Sequence, residues 1–269
     1  MRKLLLSFLL LLGVNTLSLS ANEISTYLVG DYITSSTAAK KLQHAGFTVI
    51  TKYASVKNGT TIVFTNSALK RQGSKPGRAH AAVLRLFIDA QEKKISFTNP
   101  VYFGKAFMQK QYSAKVFKAQ LAAINREFPG LKGSVDKLDA GDISGYHFMV
   151  GMPYYEDVDE LGTGKTADLL KKVKAYKGGK SVLFTLKLSN DSYLVGYDLA
   201  KRTKKFVKKI GRANAAVLPF CISIENGKAT SMEAKYYLAV SYPLLSMGEF
   251  TTIATVPGAI KKDLSKPFK

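Results

Sequence analysis

One cysteine, three histidines, no tryptophan and few acids mark this chain by shortage. Cys221 alone cannot close an intrachain disulfide. It stands in Leu218-Pro-Phe-Cys-Ile222, whose apolar neighbours suit a buried strand, so it is expected to act as a small core hydrophobe. A nucleophilic thiol needs a basic, part-exposed setting that these neighbours do not offer. His44, His80 and His147 are far apart and make no metal-ligand spacing. No Gly-x-Ser-x-Gly elbow is present. Neither catalytic residues, a cofactor nor a metal is therefore expected. With no Trp, aromatic burial falls to 14 Tyr and 15 Phe. Beyond the first residues no apolar run is long enough to span a bilayer.

Acids are also scarce: 19 against 40 Lys and Arg give a formal charge of +21. The basic residues cluster at Lys70, Arg71, Lys75 and Arg78, and again at Lys201, Arg202, Lys204, Lys205, Lys208, Lys209 and Arg212. Such density favours contact with polyanions or anionic lipid. The amino terminus reads as an address. Met1-Arg-Lys3 is followed by an apolar Leu4–Val14 run and by small residues at Ser18, Ser20 and Ala21, the pattern of a signal peptide over residues 1–21. The mature chain is expected in the periplasm or secreted, without a transmembrane span. That location, and the lack of any recognition motif, argues against nucleic acid as a partner. Anionic envelope components or a small anionic ligand are the expected partners.

The chain also contains itself. Residues 77–88 read GRAHAAVLRLFI and residues 211–222 read GRANAAVLPFCI, identical at eight of twelve positions, where chance gives about one. In the same register Lys94 falls on Lys228 and Tyr102 on Tyr236. Upstream, Thr61–Thr65 resembles Ser181–Thr185, and Tyr27–Gly30 resembles Phe148–Gly151. Two copies of one unit follow, since a self-similar register sets the architecture. The expected division is a first α+β repeat over 22–112, a helix and linker over 113–142, a second repeat over 143–256 and a basic tail over 257–269.

Each repeat reads as strand, helix, hairpin, connection, hairpin and helix. Helices are expected over Ser35–His44, Ser113–Phe128, Lys165–Tyr176 and Leu199–Ile210, from their apolar spacing and end signals. Pro100 suits a helix start, where its missing N–H goes unnoticed. Strands are expected at Gly145–Met152, Ala79–Asp89 and Ala213–Ile224, among others. This order, with Leu218-Pro219 before a hydrophobic hairpin and Asn99-Pro100 opening a helix, resembles the domain-of-unknown-function 302 family. The resemblance implies an α+β fold, here a tandem duplication of a TBP-like unit with a curved antiparallel sheet and packed helices. It brings no established activity. The family's usual Cys after that Pro is Phe220 here.

Two motifs are given structural readings. Gly162-Thr-Gly-Lys-Thr166 looks like the end of a phosphate loop, but Asp159 stands where the pattern needs Gly, so Thr163 is read as a helix cap. The acids Glu156, Asp157, Asp159 and Glu160 fit no calcium loop and read as a solvated segment. Ligand sites favour domain interfaces. The candidate ligand residues are accordingly Arg78, His80, Tyr102, Arg212 and Tyr236, at or near the junction of the copies. The primary expectation is an exported binding or scaffold protein with a basic surface. The alternative is an enzyme or redox accessory with its site at that junction.

Overall fold

A computed structural model describes residues 22–269, so the expected leader lies outside the described residues. The chain is mixed α+β, and its sheets are antiparallel. The first unit opens with β1 (Glu23–Ser25), β2 (Tyr27–Asp31) and α1 (Ser35–His44). Thr34 caps α1 by accepting the Thr37 amide, and Ala38 and Leu42 form its buried face. A hairpin of β3 (Thr48–Val56) and β4 (Gly59–Thr65) follows, then α2 (Ser67–Gly73), capped by Asn66. A 3-10 turn at Ala79–Ala82 leads into β5 (Leu84–Asp89), β6 (Lys94–Thr98) and α3 (Pro100–Met108). Asn99 and Pro100 open α3 as expected, with the Asn99 side chain accepting the Val101 amide at 3.0 Å.

Between the units run α4 (Ala114–Glu127), β7 (Lys132–Gly133) and β8 (Lys137–Asp139). The expected linker is thus structured: β7 extends the first sheet beside β2, and β8 pairs with β1. The second unit contains β9 (Val158–Thr163), α5 (Thr166–Ala175), β10 (Val182–Ser189), β11 (Ser192–Tyr197) and α6 (Lys201–Lys204), which continues as a 3-10 turn to Lys208. Another 3-10 turn at Arg212–Val217 precedes β12 (Phe220–Glu225), β13 (Lys228–Met232) and α7 (Ala234–Ser241). Helices α8 (Met247–Thr252) and α9 (Val256–Ser265) follow, with a 3-10 turn at Lys266–Phe268 after them. The stretch read as a basic tail is therefore helix, seated by the buried Pro257, Ile260 and Leu264.

The two units share one connectivity. The first sheet runs β3-β4-β5-β6-β2-β7, and the second runs β10-β11-β12-β13-β9. Two of the sequence matches that suggested this nevertheless fall on unlike elements. Thr61–Thr65 is in β4, whereas Ser181–Thr185 enters β10, the counterpart of β3. Both are apolar hairpin strands, and a local pattern cannot say which arm it belongs to. The expected strand at Gly145–Met152 is turn and loop, with Gly151 at φ +82° and Phe148 stacked on Phe250. The matching strand is β9, whose two adjacent acids point to opposite faces. Asp159 is buried and paired with Lys261 of α9 at 2.7 Å, while Glu160 faces out. The acidic segment is thus partly an edge strand, and Thr163 ends it rather than capping α5.

The shared GRA segments are also turns at their start rather than strands, and each lies between its own unit's helices and the sheet of the other. Ala79–Ala82 packs on β11 and β12; Arg212–Val217 packs on β4, β5 and β6. Ala79, Ala82 and Val83 share an apolar cluster with Phe184, Leu194 and Cys221 of the second unit. Reciprocal hydrogen bonds join the helices that follow. The Tyr102 hydroxyl donates to the Val240 carbonyl at 2.8 Å, and the Tyr236 hydroxyl donates to the Ala106 carbonyl at 3.2 Å. The register that puts Gly77 on Gly211 also puts Tyr102 on Tyr236 and Ala106 on Val240. Such mutual contacts are those of a two-fold.

The central strands are joined through one side chain. Arg85 sits opposite Val63 in the β4–β5 ladder as Cys221 sits opposite Gly196 in the β11–β12 ladder. Arg85 Nη2 donates to Cys221 Sγ at 3.4 Å and to the Pro219 carbonyl at 3.1 Å. The tyrosine pair provides a test of the two-fold packing. Tyr102→Phe and Tyr236→Phe should each lower stability by about 1 kcal/mol, the value of one buried hydrogen bond, in urea titrations followed by circular dichroism.

Candidate functional site

A cleft of about 340 Å³ opens where the first unit's turn meets the second unit's sheet. Its first wall is Pro76–His80, the run that enters the first GRA turn. Its second wall is the β12–β13 hairpin, through Ser223, Glu225, Asn226, Lys228 and Thr230. Tyr155, Glu156 and Val158 close it from the segment that leads into β9. The hairpin is held tight because Asn226 (φ +50°) and Gly227 (φ +75°) both adopt left-handed backbone, as a two-residue turn between antiparallel strands requires. The Tyr155 hydroxyl donates to the Gly77 carbonyl at 2.9 Å, which fixes the first wall against the third.

Arg78 dominates the cleft. Its guanidinium lies over the Tyr155 ring, 5.0 Å from the centroid. Nη1 reaches the Phe107 carbonyl at 3.4 Å, and Nη2 reaches Oε1 of the exposed Glu156 at 3.5 Å. Nε is buried without a hydrogen-bond partner. Glu225 is nearby, accepting the Gly77 amide at 3.1 Å through Oε2. Burial pushes the Tyr155 hydroxyl above the ordinary phenol range, against the pull of Arg78, so it stays protonated.

The expected residues therefore separate. Arg78 and His80 line the cleft together. His80 is buried, and desolvation, reinforced by Arg85, pushes its imidazole down to about 3. It contributes a neutral ring there rather than a charge. Arg212 lies at the matching place on the other side of the two-fold, where its Nε donates to Asp89 Oδ2 at 2.8 Å and Oδ1 at 2.9 Å. Tyr102 and Tyr236 are fully buried and tie the helices together, so they belong to the interface rather than to the cleft. Tyr155 and Glu225 were not among the expected residues. The only sequence signal for Glu225 was its place beside the Asn226-Gly227 turn, and Tyr155 carried none.

Cys221 is buried, and desolvation pushes its thiol up, against the opposing pull of Arg85. Among the described residues no group of three His, Cys, Asp or Glu side chains could hold a metal ion. None of the helices there is long and apolar enough to cross a membrane.

The protonation of His80 has a measurable consequence. Unfolded, the imidazole titrates near 6.5; folded, it resists the proton down to about 3. Within that window only the unfolded chain takes up a proton, so stability falls as pH falls. His80→Asn, which installs the residue found at position 214, should remove this dependence. Between about pH 6.5 and pH 4 wild type should lose roughly 3 kcal/mol more than the variant in denaturation titrations. Set beside known proteins, the chain matches no family model, no curated protein and no solved structure.

Proposed function

We propose that the chain is an exported binding module built from a duplicated unit, and that its ligand site is the cleft at the junction of the two units. The observation that carries this reading is Arg78. A half-buried guanidinium whose two outer nitrogens make only long contacts, at 3.4 and 3.5 Å, is under-satisfied, and a solute bringing a negatively charged group to them would complete it. The cleft lies between the two units, where ligand sites are commonly formed.

The basic surfaces support the same reading. Lys70 and Arg71 are exposed on α2, and Lys201, Arg202, Lys205 and Lys208 are exposed on α6 and the turn after it. These elements occupy matching places in the two units, and their positive potential favours the approach of anionic solutes or anchorage on anionic envelope polymers. The leader pattern at residues 1–21 supports export, and the Leu218-Pro219 and Asn99-Pro100 motifs support kinship with the domain-of-unknown-function 302 family. The redox alternative rests on Cys221 beside Arg85, but a buried thiol with a raised pKa is poorly suited to it.

The test uses a metabolite filtrate from the source cells, with small molecules retained and macromolecules removed. The filtrate should raise the melting temperature of the wild-type protein. It should not raise that of Val158→Trp, whose exposed rim position lets the indole fill the cleft without entering the core. An equal shift in both proteins, or none in either, overturns the proposal.

A further inference from the structure

The two related arginines differ in what answers them. Arg212 has a carboxylate supplied from within the chain: Asp89, which closes β5 of the opposite unit, accepts from its Nε through both oxygens. Asp89 is held for this by the amides of Gln91 and Glu92, at 2.9 and 3.2 Å. The residue at the matching end of β12 is Glu225. Its carboxylate is engaged by the Gly77 amide instead, and no ion pair joins it to Arg78. Arg78 therefore lacks the close, buried carboxylate that its counterpart has, and it lacks it inside a cleft rather than at a closed contact. Glu156, the one carboxylate that reaches Arg78, is solvent-exposed and 3.5 Å away, so an incoming carboxylate can displace it at little cost.

The rest of the lining narrows the ligand. Glu225 and Glu156 line the cleft with Arg78 and Lys228, so the lining carries both signs and a purely anionic solute meets two negative groups as well as two positive ones. A purely cationic solute meets the guanidinium. A ligand carrying both charges satisfies both. Pro76, Ala79 and Val158 supply an apolar wall beside these charges. A volume of about 340 Å³ lies at the small end of the range for ligand pockets.

We propose that the cleft binds a free α-amino acid with an apolar side chain. Its carboxylate takes the place at Arg78 that Asp89 takes at Arg212, its ammonium group faces Glu225, and its side chain lies against Pro76, Ala79 and Val158. The proposal rests on the reading of the cleft as the ligand site and adds the chemistry of the ligand.

Isothermal titration calorimetry at neutral pH tests it, with each standard L-amino acid at millimolar concentration as the probe. At least one apolar amino acid should bind. For the tightest, the carboxylic acid lacking the amine and the amine lacking the carboxylate should each bind about tenfold more weakly or worse. Arg78→Lys, which keeps the charge but loses the fork, should weaken the amino acid by about tenfold. Glu225→Gln should erase the preference for the amino acid over its deaminated acid. These ratios are read on folded protein, and the analogue comparison needs no variant. Binding of the deaminated acid as tightly as the amino acid overturns the proposal, as does no heat from any amino acid. If the cell filtrate still shifts the wild-type melting temperature when no amino acid binds, the cleft remains a ligand site and only the ligand class is wrong.

Discussion

Everything in this molecule hangs on an exchange. Each unit sends its alanine-rich turn out of its own sheet and onto the sheet of the other. The small side chains are what allow it. Ala79, Ala82, Ala215 and Ala216 are essentially fully buried, and they let the backbone approach the opposite strands closely. A larger residue in either turn would hold the sheets apart, and both cores would open at once. The reciprocal tyrosine bonds then lock the helices behind the turns. Most of the buried apolar residues form one connected cluster spanning both units, so neither half has a core wholly its own.

The exchange also explains what the sequence made legible. The repeated GRA segment was conspicuous because contacts on both sides of a two-fold constrain it. Elements with strong local signals were readable for a different reason. Thr34 ahead of α1, Asn99-Pro100 ahead of α3 and the Asn226-Gly227 turn each fix local backbone by their own chemistry. Less local features were hidden. β9 is an edge strand with two adjacent acids, Asp159 and Glu160, and only its pairing with β13 and the Lys261 contact make it a strand. The 3-10 turns read as strands because their apolar residues are buried, but between their own unit's helices and the other unit's sheet rather than in a ladder.

The cleft divides along the same line. Arg78 and His80 lie in the repeated segment, so the chain's self-similarity marks them. Tyr155 and Glu225 arrive from distant parts of the chain and from the opposite unit. Most telling was Arg212, which looked equivalent to Arg78. Its partner Asp89 is 123 residues away, and no local pattern could have paired them. The difference between the two arginines is a difference in tertiary surroundings, at positions where the local sequence is nearly the same.

The contact between Arg85 and Cys221 bears on how the units choose partners. An assembly of two identical first units would have neither Cys221 nor Pro219 to answer the buried Arg85 guanidinium. Two second units would leave Cys221 and the Pro219 carbonyl without that cation. In the single chain a buried cation meets a polarisable sulfur and a carbonyl, an arrangement that no self-pairing can reproduce. The seam between the halves is thus selective. Should a chain open, its first unit is matched by the second unit of a neighbouring molecule and not by another first unit, which limits how such chains can exchange halves.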